Sequence, residues 1–153
     1  AEVAEATGAP TAAHALDAEP LPVKPDRILA DGDTITIGNL TVDVIHLQGH
    51  TEGSVMFAMS RVPDGVPADA EVDRTLITGD VLFAGSIGRT DLPGGSHEAM
   101  QDSLRRVVHP RPDSSLVLPG HGPQTTIGQE SASNPFLAGL EHQSTRPKGR
   151  HGL

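Results

Sequence analysis

Gly49-His50-Thr51-Glu52-Gly53-Ser54 stands between two apolar runs, with Val44-Ile45-His46-Leu47 before it and Ser54-Val55 opening the next. A histidine thus sits at the mouth of a predicted strand, between glycines that let the backbone turn sharply. The arrangement returns twice. Thr78-Gly79-Asp80 follows Arg74-Thr75-Leu76-Ile77, and Pro119-Gly120-His121-Gly122-Pro123 follows the aliphatic run at 115–118. Taken singly, each has a bland reading: His50 as a surface or capping residue, Asp80 as a turn former, His121 as the closure of a tight loop. As a set, they offer the donors a zinc-like divalent ion prefers, neutral imidazole nitrogens and a carboxylate able to bridge two metals. The three preceding strands are expected to lie side by side, which would bring the three side chains to one rim of a sheet, where sites are commonly built.

Outward from these segments the chain reads as strand-rich, with a few helices and no internal repeat. A helix is predicted over 1–7, closed by Gly8, and because it starts at Ala1 rather than Met this end reads as a cut end. A short strand is expected at 11–14, and the proline-rich stretch 20–25 reads as a loop. Residues 34–37 and 40–47 alternate with period two around Gly38-Asn39, the pattern of a hairpin. Further strands are predicted over 54–59, 74–78 and 115–118, with a loop over 61–73. From the N-cap Ser96, the residues Met100, Leu104, Val107 and Val108 recur at helical spacing, and Pro110 and Pro112 stop that helix. A last short helix is expected over 129–140, interrupted by Pro135, and the polar tail 143–153 is expected to be disordered. Residues 1–142 are therefore expected to form one incomplete domain, followed by the tail.

Composition narrows the class. At 153 residues the chain is large enough for a real core, and with three Phe and no Trp or Tyr that core must be aliphatic. Twenty acidic against eleven basic residues give a net charge of −9, with the cations scattered, so a nucleic-acid surface is not expected. Without cysteine, any metal must be held by His, Asp or Glu. No apolar run approaches the ~20 residues of a membrane span, and no signal core is present, so a cytoplasmic setting without a membrane partner is expected.

The run Leu76-Ile77-Thr78-Gly79-Asp80-Val81-Leu82-Phe83, then Gly88-Arg89-Thr90-Asp91, then 119–130 and Asn134-Pro135-Phe136-Leu137, resembles the short bacterial glyoxalase II-like branch of the metallo-β-lactamase superfamily. The likeness covers most of residues 40–140. It implies an α/β fold, the C-terminal part of a four-layer αββα sandwich. It also implies that His50 ligates a first metal, Asp80 bridges two and is catalytic, and His121 ligates the second. The cofactor implied is zinc, two ions per intact site, with iron or manganese as alternatives. The family's upstream His-x-His-x-Asp-His cluster is absent here, since no two histidines stand two residues apart. Each metal would keep two protein ligands where a catalytic zinc uses three, so binding should be weak or absent and the isolated chain inactive. Within an intact site the resemblance implies hydrolysis of a small-molecule thioester by a metal-held hydroxide. The expected partner is the chain's own N-terminal fragment, or a second copy. Two other readings stay open: an iron oxidoreductase similar to persulfide dioxygenases, which share a Gly-Arg-Thr-Asp loop, and an inert binding or structural fragment. His46 reads as a non-ligand, and His14, His97, His109, His142 and His151 as surface or core-edge residues. Arg89 and Asp91 read as a structural pair.

Overall fold

The computed structural model describes residues 2–67 and 69–140; the expected domain boundary at 142 and the tail at 143–153 lie outside the described residues. The elements run α1 (Glu2–Thr7), β1 (Ala12–His14), α2 (Ala15–Ala18), β2 (Arg27–Leu29), β3 (Thr34–Ile37), β4 (Leu40–His46) and β5 (Val55–Met59). They continue β6 (Arg74–Gly79), β7 (Leu82–Phe83), β8 (Ser86–Ile87), α3 (His97–Val108), β9 (Ser115–Pro119), β10 (Thr125–Thr126) and α4 (Ile127–Ser133). Six strands form one sheet in the order β10-β9-β6-β5-β4-β3, and β1 pairs with β2 apart from it. Within the six, only β6 and β9 run parallel, and α3 lies in the long connection that a parallel pair requires.

Register decides which side chains meet. Ile45 stands opposite Met56, Ala58 opposite Leu76, and Leu76 opposite Val117, so these share one face. Against that face pack Met100, Leu104 and Val107, one helical stripe of α3, joined by Leu47, Val81, Leu82 and Ile127. The helix is fixed at its start by Ser96, whose hydroxyl accepts from the Ala99 N–H, and Arg105 and Arg106 stand in its last turn, where the helix dipole favours cations.

The other face is less covered. Phe57 pairs with Val44 and Ile77, and Ile77 with Leu118. Val44 is buried, but Ile77 is 39% exposed and Phe57 and Leu118 are only half-buried. An aliphatic face of this kind favours association. The chain is expected to self-associate at high concentration or to retain a companion polypeptide, and Ile77→Glu should shift it toward monomer. Light scattering checks this; a monodisperse wild-type monomer with no companion would contradict it.

Several expectations need correction. The strands before the three site residues are not all neighbours: β5 lies between β4 and β6, so His50 reaches the others through its loop. The final helix begins at Ile127 because Thr126 takes the N-cap, and it ends before Asn134, which the following proline holds extended. The short elements α2, β2, β7 and β8 had no expectation, being too brief to carry a period.

Candidate metal centre

The end of β6 is shaped by Gly79, whose φ of +51° lies in the left-handed region, and the next residue presents Asp80. The Gly120 N–H donates to the Gly79 carbonyl at 2.8 Å, tying the end of parallel β9 to it and bringing His121 alongside. His50 comes from the loop between β4 and β5. Its neighbour Gly49 has φ +142° and sits against Met100 so closely that an added Cβ would lie 2.6 Å from the Met100 Cα. The Gly49 carbonyl accepts from the Ser96 N–H at 2.9 Å, and the Ser103 hydroxyl donates to the Gln48 carbonyl at 2.6 Å. Helix α3 thus fixes this loop from below.

The three side chains meet. His121 Nδ1 lies 2.8 Å from Asp80 Oδ1, and His50 Nε2 lies 3.5 Å from Asp80 Oδ2. His50 Nδ1 is 3.0 Å from the Arg89 carbonyl oxygen. A carbonyl only accepts, so Nδ1 carries a hydrogen, and in the neutral imidazole the lone pair of Nε2 faces the carboxylate. Such a backbone partner on the far nitrogen is the usual device for aiming an imidazole at a metal. Two acceptors facing each other leave a place for a cation. The donor chemistry therefore fits a divalent metal held by His50, Asp80 and His121. The arrangement falls short: among the described residues no group of three or more His, Asp or Glu side chains is placed to enclose an ion. The three donors close on one another instead. His121 is 77% exposed at its side chain, against 22% for His50, so the centre opens on the His121 side.

The remaining expected residues fall as follows. His46 turns away, with Nε2 2.7 Å from the Glu52 carbonyl oxygen. His14 sits half-buried, in keeping with its reading as a surface or core-edge residue; it stacks on His46 with ring centroids 3.9 Å apart and caps α2 by accepting from the Leu16 N–H. Burial, then the neighbouring His46, lowers the His14 pKa. His97 and His109 are exposed, and His142 and His151 lie outside the described residues. Arg89 and Asp91 pair through two hydrogen bonds of 2.8 Å, and the Arg89 guanidinium holds the Asp91 carboxyl down to about 2.

Sequence reasoning missed two supports. Glu130, 1% exposed, accepts from the Thr125 hydroxyl at 2.6 Å, the Gly85 N–H at 2.8 Å and the Asn134 amide at 2.8 Å. Asn134 also donates to the Ser86 carbonyl at 3.1 Å. Together they pin the turn of the β7–β8 hairpin, which leads directly to Gly88 and to the Arg89 carbonyl that orients His50. Glu130→Ala should cost roughly 3 kcal/mol, because it strands several buried donors at once. Thermal or denaturant unfolding checks this. The second support, Asp17, is taken up below.

The chain is similar to known proteins along most of its length. The metallo-beta-lactamase superfamily pattern matches residues 1–121. Hydroxyacylglutathione hydrolase GloC of Haemophilus influenzae is 39% identical over 114 residues, 74% of this chain and 49% of that protein. The crystal structure of the BLEG-1 B3 metallo-beta-lactamase aligns with TM-score 0.74 and 35% identity, over 90% of this chain and 69% of that one. ETHE1 from Myxococcus xanthus aligns with TM-score 0.72 and 26% identity, over 96% and 63%. The chain spans about half the length of the curated relatives it matches. The mixed α/β architecture expected from the sequence is the one found.

Proposed function

This chain belongs to the metallo-beta-lactamase superfamily, and we propose that it carries the His50, Asp80 and His121 portion of a metal-dependent hydrolase site. In this reading the intact site hydrolyses a small-molecule thioester, as the name of the GloC relative suggests for that protein. The observation that carries the proposal is the convergence of two imidazoles on one carboxylate from three loops far apart in sequence, at 2.8 and 3.5 Å.

His50 would hold a first metal and His121 a second, zinc by preference, with Asp80 shared between them. A bound divalent ion supplies a lowered pKa for water and withdraws charge from the carbonyl under attack. The chain's own residues do the rest. The Arg89 carbonyl keeps the proton of His50 on Nδ1, so Nε2 stays available. Asp80 supplies negative charge between the imidazoles, and the exposed side of His121 leaves the centre open to substrate. The further ligands that a catalytic zinc needs would come from a companion polypeptide, the chain's own N-terminal fragment in the first instance. A cytoplasmic setting belongs to the same reading; among the described residues no helix is long and apolar enough to cross a membrane. The iron oxidoreductase reading keeps one observation in its favour, the Gly88-Arg89-Thr90-Asp91 loop beside His50.

Elemental analysis beside a thioester-hydrolysis assay tests the proposal. After dialysis the chain alone should be largely metal-free and without turnover, and metal and turnover should appear together when the companion is added, because metal binding couples to assembly of the site. Stoichiometric zinc with turnover in the chain alone would overturn the shared-site reading. Iron with oxygen uptake and no hydrolysis would replace the hydrolase with the oxidoreductase.

A further inference from the structure

Asp17 lies in the four-residue helix α2, over thirty positions from the His50 loop in sequence, yet its carboxylate closes on that loop. Oδ2 accepts from the Thr51 hydroxyl at 2.6 Å, and Oδ1 accepts from the Gly53 N–H at 2.8 Å. Both donors sit within three residues of His50. The Thr51 hydroxyl also lies 2.7 Å from the Ser54 hydroxyl, which in turn accepts from the Thr51 N–H at 3.1 Å. The contact is tight. A Cβ added at Gly53 would lie 2.6 Å from the Asp17 Cγ and 2.7 Å from its backbone nitrogen, so glycine is needed there for the carboxylate to approach.

The helix that carries Asp17 is itself held against the same loop. His14 caps α2 and stacks on His46, and His46 reaches the Glu52 carbonyl at 2.7 Å. On its other side the loop is held by α3 through the Gln48 and Gly49 carbonyls. The eight residues 47–54 between β4 and β5 have no regular structure of their own to fix them, and each of these bonds removes freedom that His50 would otherwise have.

We propose that Asp17 is a positioning residue for His50: its two hydrogen bonds to Thr51 and Gly53 clamp the loop so that the imidazole stays directed at Asp80. The proposal deepens the metal-site reading above and, where metal is concerned, rests on it. The clamp itself is a property of the metal-free chain, and that separates the two tests.

The first measurement uses no metal. In the full chain, amide hydrogen exchange at Thr51 and Gly53 and the His50 ring resonances are compared among wild type, Asp17→Ala, Asp17→Glu and Asp26→Ala. Asp26 serves as the control because it clamps the same N-terminal segment in the same manner, accepting from the Thr11 N–H at 2.7 Å and the Thr11 hydroxyl at 3.0 Å, without touching the His50 loop. Asp17→Ala should raise exchange at Gly53 at least about tenfold and move the His50 ring signals toward those of a free imidazole, while amides of β6 and β9 stay unchanged. Asp17→Glu should recover part of both. Thr51→Val, which removes one of the two bonds, should give a smaller change of the same kind should Asp17→Ala fail to fold. Exchange at Gly53 and His50 signals within twofold of wild type in a folded variant would overturn the clamp. So would the same changes in Asp26→Ala, which would show a general loosening of the segment.

The second measurement is cobalt titration of the same variants in the presence of the companion polypeptide, followed by the visible spectrum. Asp17→Ala should weaken cobalt binding about tenfold, in the range found when groups that orient ligands are removed. Wild-type chain that binds no cobalt, alone or with its companion, would sink the metal-site reading and leave the clamp to stand or fall on exchange.

Discussion

Replacing Gly88 by Ala should cost roughly 3 kcal/mol of stability and disable the candidate centre with the same stroke. A Cβ at this position would overlap the Asp80 carbonyl oxygen and come within 2.9 Å of its carbonyl carbon, with the His50 Cβ 3.4 Å away on another side. The obstacle is backbone, so relief requires moving the main chain that presents Asp80. The Gly88 N–H also donates to the Val81 carbonyl at 3.2 Å, which binds the two sides of the hairpin together at this point. Gly120→Ala makes an instructive partner. Its Cβ would lie 2.5 Å from Asp80 Oδ1, the free end of a side chain that can swing aside, and 3.2 Å from the Gly79 carbonyl carbon. The expected result is a smaller loss of stability, about 1 kcal/mol, with the carboxylate rotated away from His121. Denaturant midpoints beside the His121 ring signals check the pair. Equal midpoints for Gly88→Ala and wild type would show that the packing around Asp80 is softer than these distances imply.

This crowding marks where sequence reading succeeds and where it stops. The ends of β4, β6 and β9 and the whole of α3 were legible, because aliphatic alternation, a Ser96 cap and a stripe of Met100, Leu104 and Val107 are local signals with a fixed period. The trio His50, Asp80 and His121 was visible as glycine-flanked residues after strands, although the strand order that joins them was not, since pairing of β5 between β4 and β6 is a long-range event. The supports had no local signature at all. Asp17 looks like any acid in a short helix, and Glu130 like a surface residue of α4, until Gly53 and Gly85 are brought to them from over thirty and forty-five positions away. His14 and His46 likewise acquire meaning only through stacking. A cluster of donors is written in single residues, whereas the framework that aims it is written in contacts between segments that share no period.

Asp80→Ala should be the most damaging single change to metal binding, lowering affinity at least about a hundredfold, beyond the usual cost of losing an orienting group. The reason is its position between the imidazoles: Oδ1 faces His121 at 2.8 Å and Oδ2 faces His50 at 3.5 Å, so one truncation removes a donor from both sides and the negative charge that offsets a cation. Stability should change little, within about 1 kcal/mol, because the carboxylate is 28% exposed and its contacts with the two imidazoles are partly solvated. Asp80→Asn separates charge from shape. Its oxygen still accepts from His121 Nδ1, so the local arrangement should persist while metal affinity falls nearly as far as in the alanine variant. Cobalt or zinc titration of the chain with its companion, beside thermal unfolding of each variant, reads both quantities. A metal affinity in Asp80→Asn equal to wild type would mean that the carboxylate serves as a hydrogen-bond acceptor alone, and that the ion, if one binds, is held elsewhere.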